Sequence, residues 1–199
     1  LTDFLTTGTY DRNRAFYTTS SPSMDILISS NLERLLFLLD GEDDAKVRTW
    51  MKQLSETGKY TVSDEVFAKI RENFAAGFAD DDKTFATIKS TYEDDKYLCD
   101  THTGVAVAVY NDYTAKTGDQ TPTVIASTAS PYKFPKAVLT ALNGSAPDID
   151  EFDMADELSR QTGTTVPPQL ANLKDKKVRF TNVCEIKDME QQVYDLLKI

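Results

Sequence analysis

With 199 residues, the chain is long enough to build a hydrophobic core, as one large domain or as part of a larger one. Its net charge of −10 and scattered basic residues argue against a nucleic-acid-binding protein, because neutralising phosphates requires clustered lysine and arginine. No apolar run approaches the roughly 20 residues of a membrane span. The two cysteines, Cys99 and Cys184, have neither metal-ligand nor disulfide-framework spacing, which predicts a reducing, cytoplasmic setting.

The beginning of the chain has the pattern of a structured segment. Leu1, Phe4 and Leu5 have the spacing of an amphipathic helical turn, and no initiating Met precedes them. We therefore expect the chain to be a fragment of a longer protein. Residues 8–23 are rich in Thr, Ser, Arg and Tyr and are predicted to be irregular.

A short apolar stretch and a helix follow. Residues 24–28 fit either a strand or the edge of a pocket. Ser30 and Glu33 have the spacing of a capping box, in which each side chain bonds the other's free backbone N–H. The helix predicted over 32–39 is apolar on most sides, which favours burial.

The middle of the chain repeats one pattern: acidic residues, an apolar stripe with helical spacing, and a breaker such as Gly58. The apolar stripes are Val47, Trp50, Met51 and Leu54, then Val66, Phe67, Ile70 and Phe74, then Phe85, Ile88 and Tyr92. The acidic runs at 42–44, 80–82 and 93–95 lack the alternating oxygen ligands of a calcium loop, so we interpret them as solvated helix ends and predict no metal site.

Residues 100–118 allow two structures. Alternating Val and Ala fit a strand, but the length and the stop at Gly118 favour a buried helix capped by Asp100 or Thr101. His102 is the only histidine, so any His-dependent chemistry must use it. A single histidine at a helix start is more often structural than catalytic.

Residues 123–142 have the pattern of a strand, a polar turn and a helix. The run 124–126 is typical of a buried parallel strand, and the hydroxyl-rich residues 127–130 would then lie at its carboxyl end, where α/β sheets bind ligands. In that position the Thr128 hydroxyl could hydrogen-bond a heteroaromatic nitrogen without protonating it. Lys133 beside this cluster could hold an anion, whereas Lys136 has the pattern of an ordinary surface residue.

The remaining residues are predicted to form two helices and a strand. The helices cover 151–160 and 189–197, and the run 178–183 is strand-like.

Four segments together are similar to the carboxyl-terminal half of the long-form threonine synthases. They are Ser21-Pro-Ser-Met-Asp-Ile26, Ser30-Asn-Leu-Glu-Arg34, Asp100-Thr-His-Thr-Gly104 and Ser127-Thr-Ala-Ser-Pro-Tyr-Lys-Phe-Pro135, in the family's order. The chain departs from the family pattern at Thr101, where Pro is typical, and at Gly104, where Ala is frequent. It also has Ser130 where His is common and Tyr132 where Ala is common.

The resemblance implies an α/β fold of the pyridoxal-phosphate-dependent tryptophan-synthase-β-like type (type II), with a parallel sheet flanked by helices. Residues 1–199 would be the carboxyl-terminal part of the large pyridoxal-phosphate domain, with a helical insertion at about 42–96. Such enzymes convert O-phospho-L-homoserine and water into L-threonine and phosphate. The Schiff-base lysine and the phosphate loop of the family would lie upstream, so we expect the chain alone to have no catalytic residue and to be inactive.

The resemblance also implies roles for individual residues. Thr128 would contact the pyridine nitrogen of pyridoxal phosphate, and Met24, Asp25 and Ile26 would wall the cofactor pocket. His102 and Lys133 would contribute to substrate binding. Strands left without upstream neighbours would be open edges, so we expect the chain to self-associate.

Two other functions fit parts of the sequence. A non-catalytic, acidic α/β module that binds a protein partner is consistent with the missing lysine and phosphate loop. A β-replacing or dehydratase enzyme of the same fold is a further alternative, but the segment at 21–26 and the long helical stretch argue against it.

Overall fold

The computed structural model describes all 199 residues, which form two units, Leu1–Val166 and Pro167–Ile199. The first contains α1 (Thr2–Thr7), β1 (Thr9–Asp11), α2 (Leu32–Leu39), α3 (Asp44–Thr57), β2 (Lys59–Thr61), α4 (Asp64–Asn73), α5 (Asp81–Asp95), α6 (Thr101–Thr117), α7 (Pro135–Asn143) and α8 (Glu151–Thr162), with a 3-10 turn at Pro131–Lys133. The second contains α9 (Pro168–Ala171), a 3-10 turn at Ile186–Asp188 and α10 (Met189–Leu197). No helix is both long enough and apolar enough to cross a membrane.

Helices α1 to α4 pack around the short sheet. Strands β1 and β2 are antiparallel, with Tyr10 opposite Tyr60 and their rings stacked at a centroid distance of 5.6 Å. Phe4 is tilted against both rings, and Trp50 stacks on Tyr60 at 6.4 Å. This aromatic cluster brings the amino-terminal turn against helices that lie about 50 residues later in the sequence, and it forms the first hydrophobic core.

Helices α5 to α8 form a second core. Ile88, Val138, Leu139 and Leu158 are fully buried in it. Gly104 allows α5 and α6 to approach closely, because a Cβ at this position would lie 2.8 Å from Cγ1 of Ile88. Within the predicted insertion at 42–96, helices α3 and α4 thus belong to the first core, whereas α5 packs against α6 and α7.

The predicted helix ends are largely confirmed. The Asp43, Ser63, Asp80 and Asp100 side chains cap the starts of α3, α4, α5 and α6. Glycines with left-handed backbone end five of the helices, as predicted for Gly58 and Gly118. The acidic runs at 42–44 and 80–82 therefore serve as helix caps.

The predicted capping box at Ser30 and Glu33 is wrong. The residue before α2 is Asn31, whose helical backbone angles do not allow side-chain capping, and the first N–H groups bond to backbone carbonyls of residues 29–31 instead. The predicted burial of α2 on most sides is also wrong. Leu36 is fully buried, but Leu38 on the other face is 63% exposed.

The two predicted strands outside the first core do not form in this chain. Residues 124–126 lie outside any regular element and are unpaired, and Val124 is 95% exposed, so its predicted burial is wrong. Residues 178–183 are likewise unpaired and exposed, and residues 24–28 contain the end of a turn and a single bend instead of a strand. A strand is stable only when a neighbour completes its hydrogen-bond ladder, and no other segment of the chain pairs with these residues.

Burial on α2 can be tested with two matched substitutions. Leu36→Ala empties a fully buried site and is expected to lower the free energy of unfolding by about 2–5 kcal/mol. Leu38→Ala, on the exposed face of the same helix, is expected to change it by no more than about 0.5 kcal/mol. Urea unfolding followed by circular dichroism measures both, and equal losses would contradict the burial described here.

Candidate functional site

The first turn of α6 is organised around a buried carboxylate. Asp100 is fully buried, and its Oδ2 accepts from the backbone N–H of His102 at 2.9 Å. Its Oδ1 accepts from the backbone N–H of Thr103 at 3.2 Å and from the Thr103 hydroxyl at 2.5 Å. The carboxylate therefore caps the helix and fixes the side chains that follow it.

His102 connects this turn to a distant loop. Its Nδ1 lies 2.8 Å from Oδ2 of Asp100, and its Nε2 lies 3.1 Å from the backbone nitrogen of Ser23. Since the Ser23 N–H can only donate, Nε2 must be the acceptor, and the proton of a neutral imidazole must be on Nδ1. The ring also packs against Phe134 at a centroid distance of 4.9 Å.

Thr103 makes a second connection, to the segment that carries Thr128. The hydroxyls of Thr103 and Ser127 lie 3.1 Å apart, and the Tyr97 hydroxyl donates to Ser127 at 3.0 Å. Thr128 follows directly, is exposed, and its own hydroxyl has no hydrogen-bond partner in the chain.

The loop at 19–26 is held by its own side chains. The Asp25 carboxylate accepts from the backbone N–H of Thr19 at 2.6 Å and from its hydroxyl at 2.8 Å. Ser20 donates twice to Asp81 at the start of α5. Met24 and Ile26 are about half exposed, so the loop presents apolar side chains outward while its polar groups bond inward.

The structure brings three of the four family-like segments together. Segments 21–26 and 127–135 both contact 100–104, through Ser23 and through Ser127. Lys133 is exposed, with its ammonium 6.0 Å from the Phe134 ring that packs on His102. The segment 30–34 makes none of these contacts and forms the start of α2.

Two residues at which the chain departs from the family pattern have contacts of their own. Ser130 caps the 3-10 turn by accepting from the N–H of Tyr132 at 3.3 Å. Tyr132 is buried, and its hydroxyl lies 2.5 Å from that of Thr164. Both residues therefore support the turn that leads into α7.

Burial and hydrogen bonding shift the acidity of two neighbouring groups. Burial alone would raise the pKa of Asp100, but hydrogen bonds from Thr103 and His102 outweigh it and lower the pKa below its ordinary value. Burial, helped by the adjacent negative charge of Asp100, raises the pKa of the Cys99 thiol to about 11. Cys99 is therefore an inert core residue at neutral pH.

Sequence reasoning missed several members of this network. The backbone N–H of Ser23 has no signature in the sequence, and Tyr97 stands in no recognisable motif. Ser127 opens the hydroxyl-rich segment, but the sequence does not indicate that this hydroxyl, and not that of Thr128, makes the inward hydrogen bonds. The combination of an Asp cap with His and Thr in the following two positions was the available signal. It indicates that those side chains point back toward the cap, but it does not indicate which loops they meet.

Comparison with known proteins identifies the family. The family described as "Threonine synthase, C-terminal" matches residues 103–193. Threonine synthase of Saccharomyces cerevisiae is 33% identical over 98% of the chain, and the human protein named threonine synthase-like 1 is 38% identical over 71% of it. The crystal structure of pyridoxal-phosphate-bound threonine synthase from Brucella melitensis superimposes with a TM-score of 0.78, at 36% identity over 98% of the chain. The chain belongs to the threonine synthase family.

These matches also define the extent of the likeness. The chain spans 39% of the length of the S. cerevisiae protein, 19% of the human protein and 37% of the B. melitensis chain. The likeness to the solved threonine synthases supports the predicted α/β class of fold. Within this chain, that fold consists of helices and one antiparallel pair of strands.

The Asp100 carboxylate is expected to make stability depend on pH. Because its folded pKa lies below the unfolded value of about 3.9, its contribution is fully present above that value and is lost as the pH falls through the folded pKa. Asp100→Asn should lower the free energy of unfolding by about 1.5–3 kcal/mol at pH 7, and the gap to wild type should narrow below about pH 4. Urea titrations across this range measure it, with the exposed Asp156→Asn as control. A gap that stays constant into acid would contradict the assignment.

The two thiols are expected to differ in reactivity. Cys184 is exposed, whereas Cys99 is fully buried with a raised pKa. At pH 8, one thiol per chain should react rapidly with a disulfide reagent, and the second should react only in denaturant. Cys184→Ser should abolish the rapid phase and Cys99→Ser should leave it unchanged. Two rapid phases in wild type would mean that the second core is open at Cys99.

Proposed function

We propose that this chain is the carboxyl-terminal part of a pyridoxal-phosphate-dependent threonine synthase, which converts O-phospho-L-homoserine and water into L-threonine and phosphate. The observation that carries the proposal is the convergence of segments 21–26 and 127–135 on the first turn of α6. These segments carry the residues that the family resemblance assigns to the cofactor. A core of hydrogen bonds between them is expected where two loops must present side chains to one ligand.

The residues present fit pyridoxal phosphate. The Thr128 hydroxyl is exposed and free of partners, so it can hydrogen-bond the pyridine nitrogen and leave that nitrogen unprotonated. Met24 and Ile26 present apolar side chains suited to the faces and edges of a flat ring. The Asp25 carboxylate already accepts two hydrogen bonds from Thr19, so its role is to shape the loop. When bound, the cofactor supplies an electron sink for removal of substrate protons.

Lys133 is the proposed contact for the anionic end of the substrate. The Lys133 side chain is exposed and forms no ion pair with an acidic residue of the chain. An unpaired ammonium can stabilise a phosphate by direct charge attraction. His102 has no free ring nitrogen, so its predicted contribution to substrate binding is indirect.

The proposal extends to the fold around the site. We propose that residues 1–199 are the carboxyl-terminal part of the large cofactor domain, with the family's helical insertion at about 42–96. We also propose that residues 124–126 pair with upstream strands in a parallel sheet. The 95% exposure of the apolar Val124, together with the lack of a strand partner within this chain, supports this pairing. The same open edge favours self-association of the isolated chain. A cytoplasmic location follows from the proposed biosynthetic role.

The test is phosphate release from O-phospho-L-homoserine by a family-length protein that contains this chain. Wild type should release phosphate, and Thr128→Val should lower kcat by about tenfold with pyridoxal phosphate still bound, because one hydrogen bond to the ring is lost. Thr123→Val, the same change five residues earlier, is the matched control and should match wild type. The 199-residue chain alone should release none.

Each outcome separates a different part of the proposal. A wild-type protein without phosphate release would overturn the proposed reaction. An active wild type with an equally active Thr128→Val variant would overturn only the role of Thr128.

A further inference from the structure

The two loops proposed to hold the cofactor are both fixed by one turn of helix. We propose that Asp100, His102 and Thr103, here called the α6 clamp, hold the loop at 21–26 and the segment at 127–128 in their binding geometry, and that His102 is a positioning residue. The cofactor-related part of this inference rests on the proposed function. The clamp itself rests on contacts within the chain.

The first arm of the clamp is the histidine. His102 is only 4% exposed, and each of its ring nitrogens already has a partner, Asp100 at Nδ1 and the Ser23 N–H at Nε2. A substrate or cofactor atom could bind Nε2 only by displacing Ser23. The ring is therefore used to anchor the backbone one residue before Met24, the first of the proposed pocket residues.

The second arm is the threonine hydroxyl. Thr103 donates to Asp100 at 2.5 Å, so the remaining lone pairs of its hydroxyl can accept from Ser127, 3.1 Å away. Ser127 immediately precedes Thr128. Asp100 thus orients both arms, and a disturbance at Asp100 is passed on to both loops.

Charge and hydrogen-bond direction make the first arm specific to neutral imidazole. With Nδ1–H donating to the Asp100 carboxylate, Nε2 is left as the acceptor that the Ser23 N–H requires. A proton on Nε2 would place two donors face to face. A side chain can bridge Asp100 and Ser23 only if it places a donor at the position of Nδ1 and an acceptor at the position of Nε2.

Two substitutions separate the contacts of the ring. In His102→Asn the shorter amide reaches the position of Nδ1, so the contact with Asp100 is kept and the one with Ser23 is lost. In His102→Gln the longer amide reaches the position of Nε2, so its oxygen can accept from Ser23 while the contact with Asp100 is lost. The Asn variant is therefore the disruptive one for the loop, and the Gln variant is its rescue.

Amide hydrogen exchange of the 199-residue chain measures the loop directly. Relative to the amide of Ile70, which lies in the first core and reports global opening, the Ser23 amide should exchange about three to ten times faster in His102→Asn than in wild type. In His102→Gln it should remain within about twofold of wild type. A Ser23 amide whose protection falls no more than that of Ile70 in the Asn variant would overturn the clamp.

The single histidine allows an independent check. A nitrogen-15 spectrum of the imidazole contains one residue, and it should show the proton on Nδ1 and an unprotonated, hydrogen-bonded Nε2 at neutral pH. The opposite tautomer, or an imidazolium, would overturn the proposed direction of both hydrogen bonds.

The family-length protein tests the consequence for binding. His102→Asn should weaken pyridoxal phosphate binding, measured by cofactor absorbance, and raise KM by about three- to tenfold, while kcat at saturation changes less; His102→Gln should restore both. The exposed Lys136→Ala is the control. Equal cofactor binding in Asn, Gln and wild-type proteins would overturn the positioning role. If wild type lacks activity, the proposed function fails, whereas the exchange and nitrogen-15 results still decide the clamp.

Discussion

The arrangement of the candidate site depends on one buried carboxylate and its hydrogen bonds. Asp100 is fully removed from water, and a charge in that position is stable only when surrounding donors replace the lost hydration. Two backbone N–H groups, a hydroxyl and an imidazole supply those donors. Because each donor is itself connected to a loop or a helix, the requirement to surround one charge determines the positions of residues from three distant parts of the chain.

The local structure could be predicted because its determinants are close together in sequence. Helices α3, α4, α5 and α6 follow from an apolar stripe bounded by a capping side chain and a breaker, all within about 20 residues. The choice of helix for 100–118 over a strand was confirmed for this reason: Asp100 and Gly118 mark its two ends. The capping box at Ser30 failed because a backbone turn met the same N–H groups first.

Non-local structure was less predictable. Strand β1 pairs with β2 about 50 residues later, and the sequence of 8–23 carries no alternation that would indicate it. Residues 124–126 do have the composition of a buried strand, yet Val124 is exposed, because burial of a parallel strand depends on neighbours that this chain does not provide. Composition therefore indicated that the segment is suited to a buried strand, but the strand forms only where a neighbouring strand pairs with it.

The site illustrates the same division between residues and contacts. The family resemblance indicated Met24, Thr128 and His102 as site residues, but it could not indicate that a backbone N–H donates to the histidine ring. Because the Ser23 N–H donates to Nε2, His102 contacts the protein, whereas the resemblance implied that it contacts the substrate. The Thr128 hydroxyl, in contrast, is free to contact a ligand, since its neighbour Ser127 makes the inward hydrogen bonds. The polar network is complete on its inner side and leaves one hydroxyl and two apolar side chains exposed, and it is on these exposed groups that the proposed binding of a flat, heteroaromatic cofactor depends.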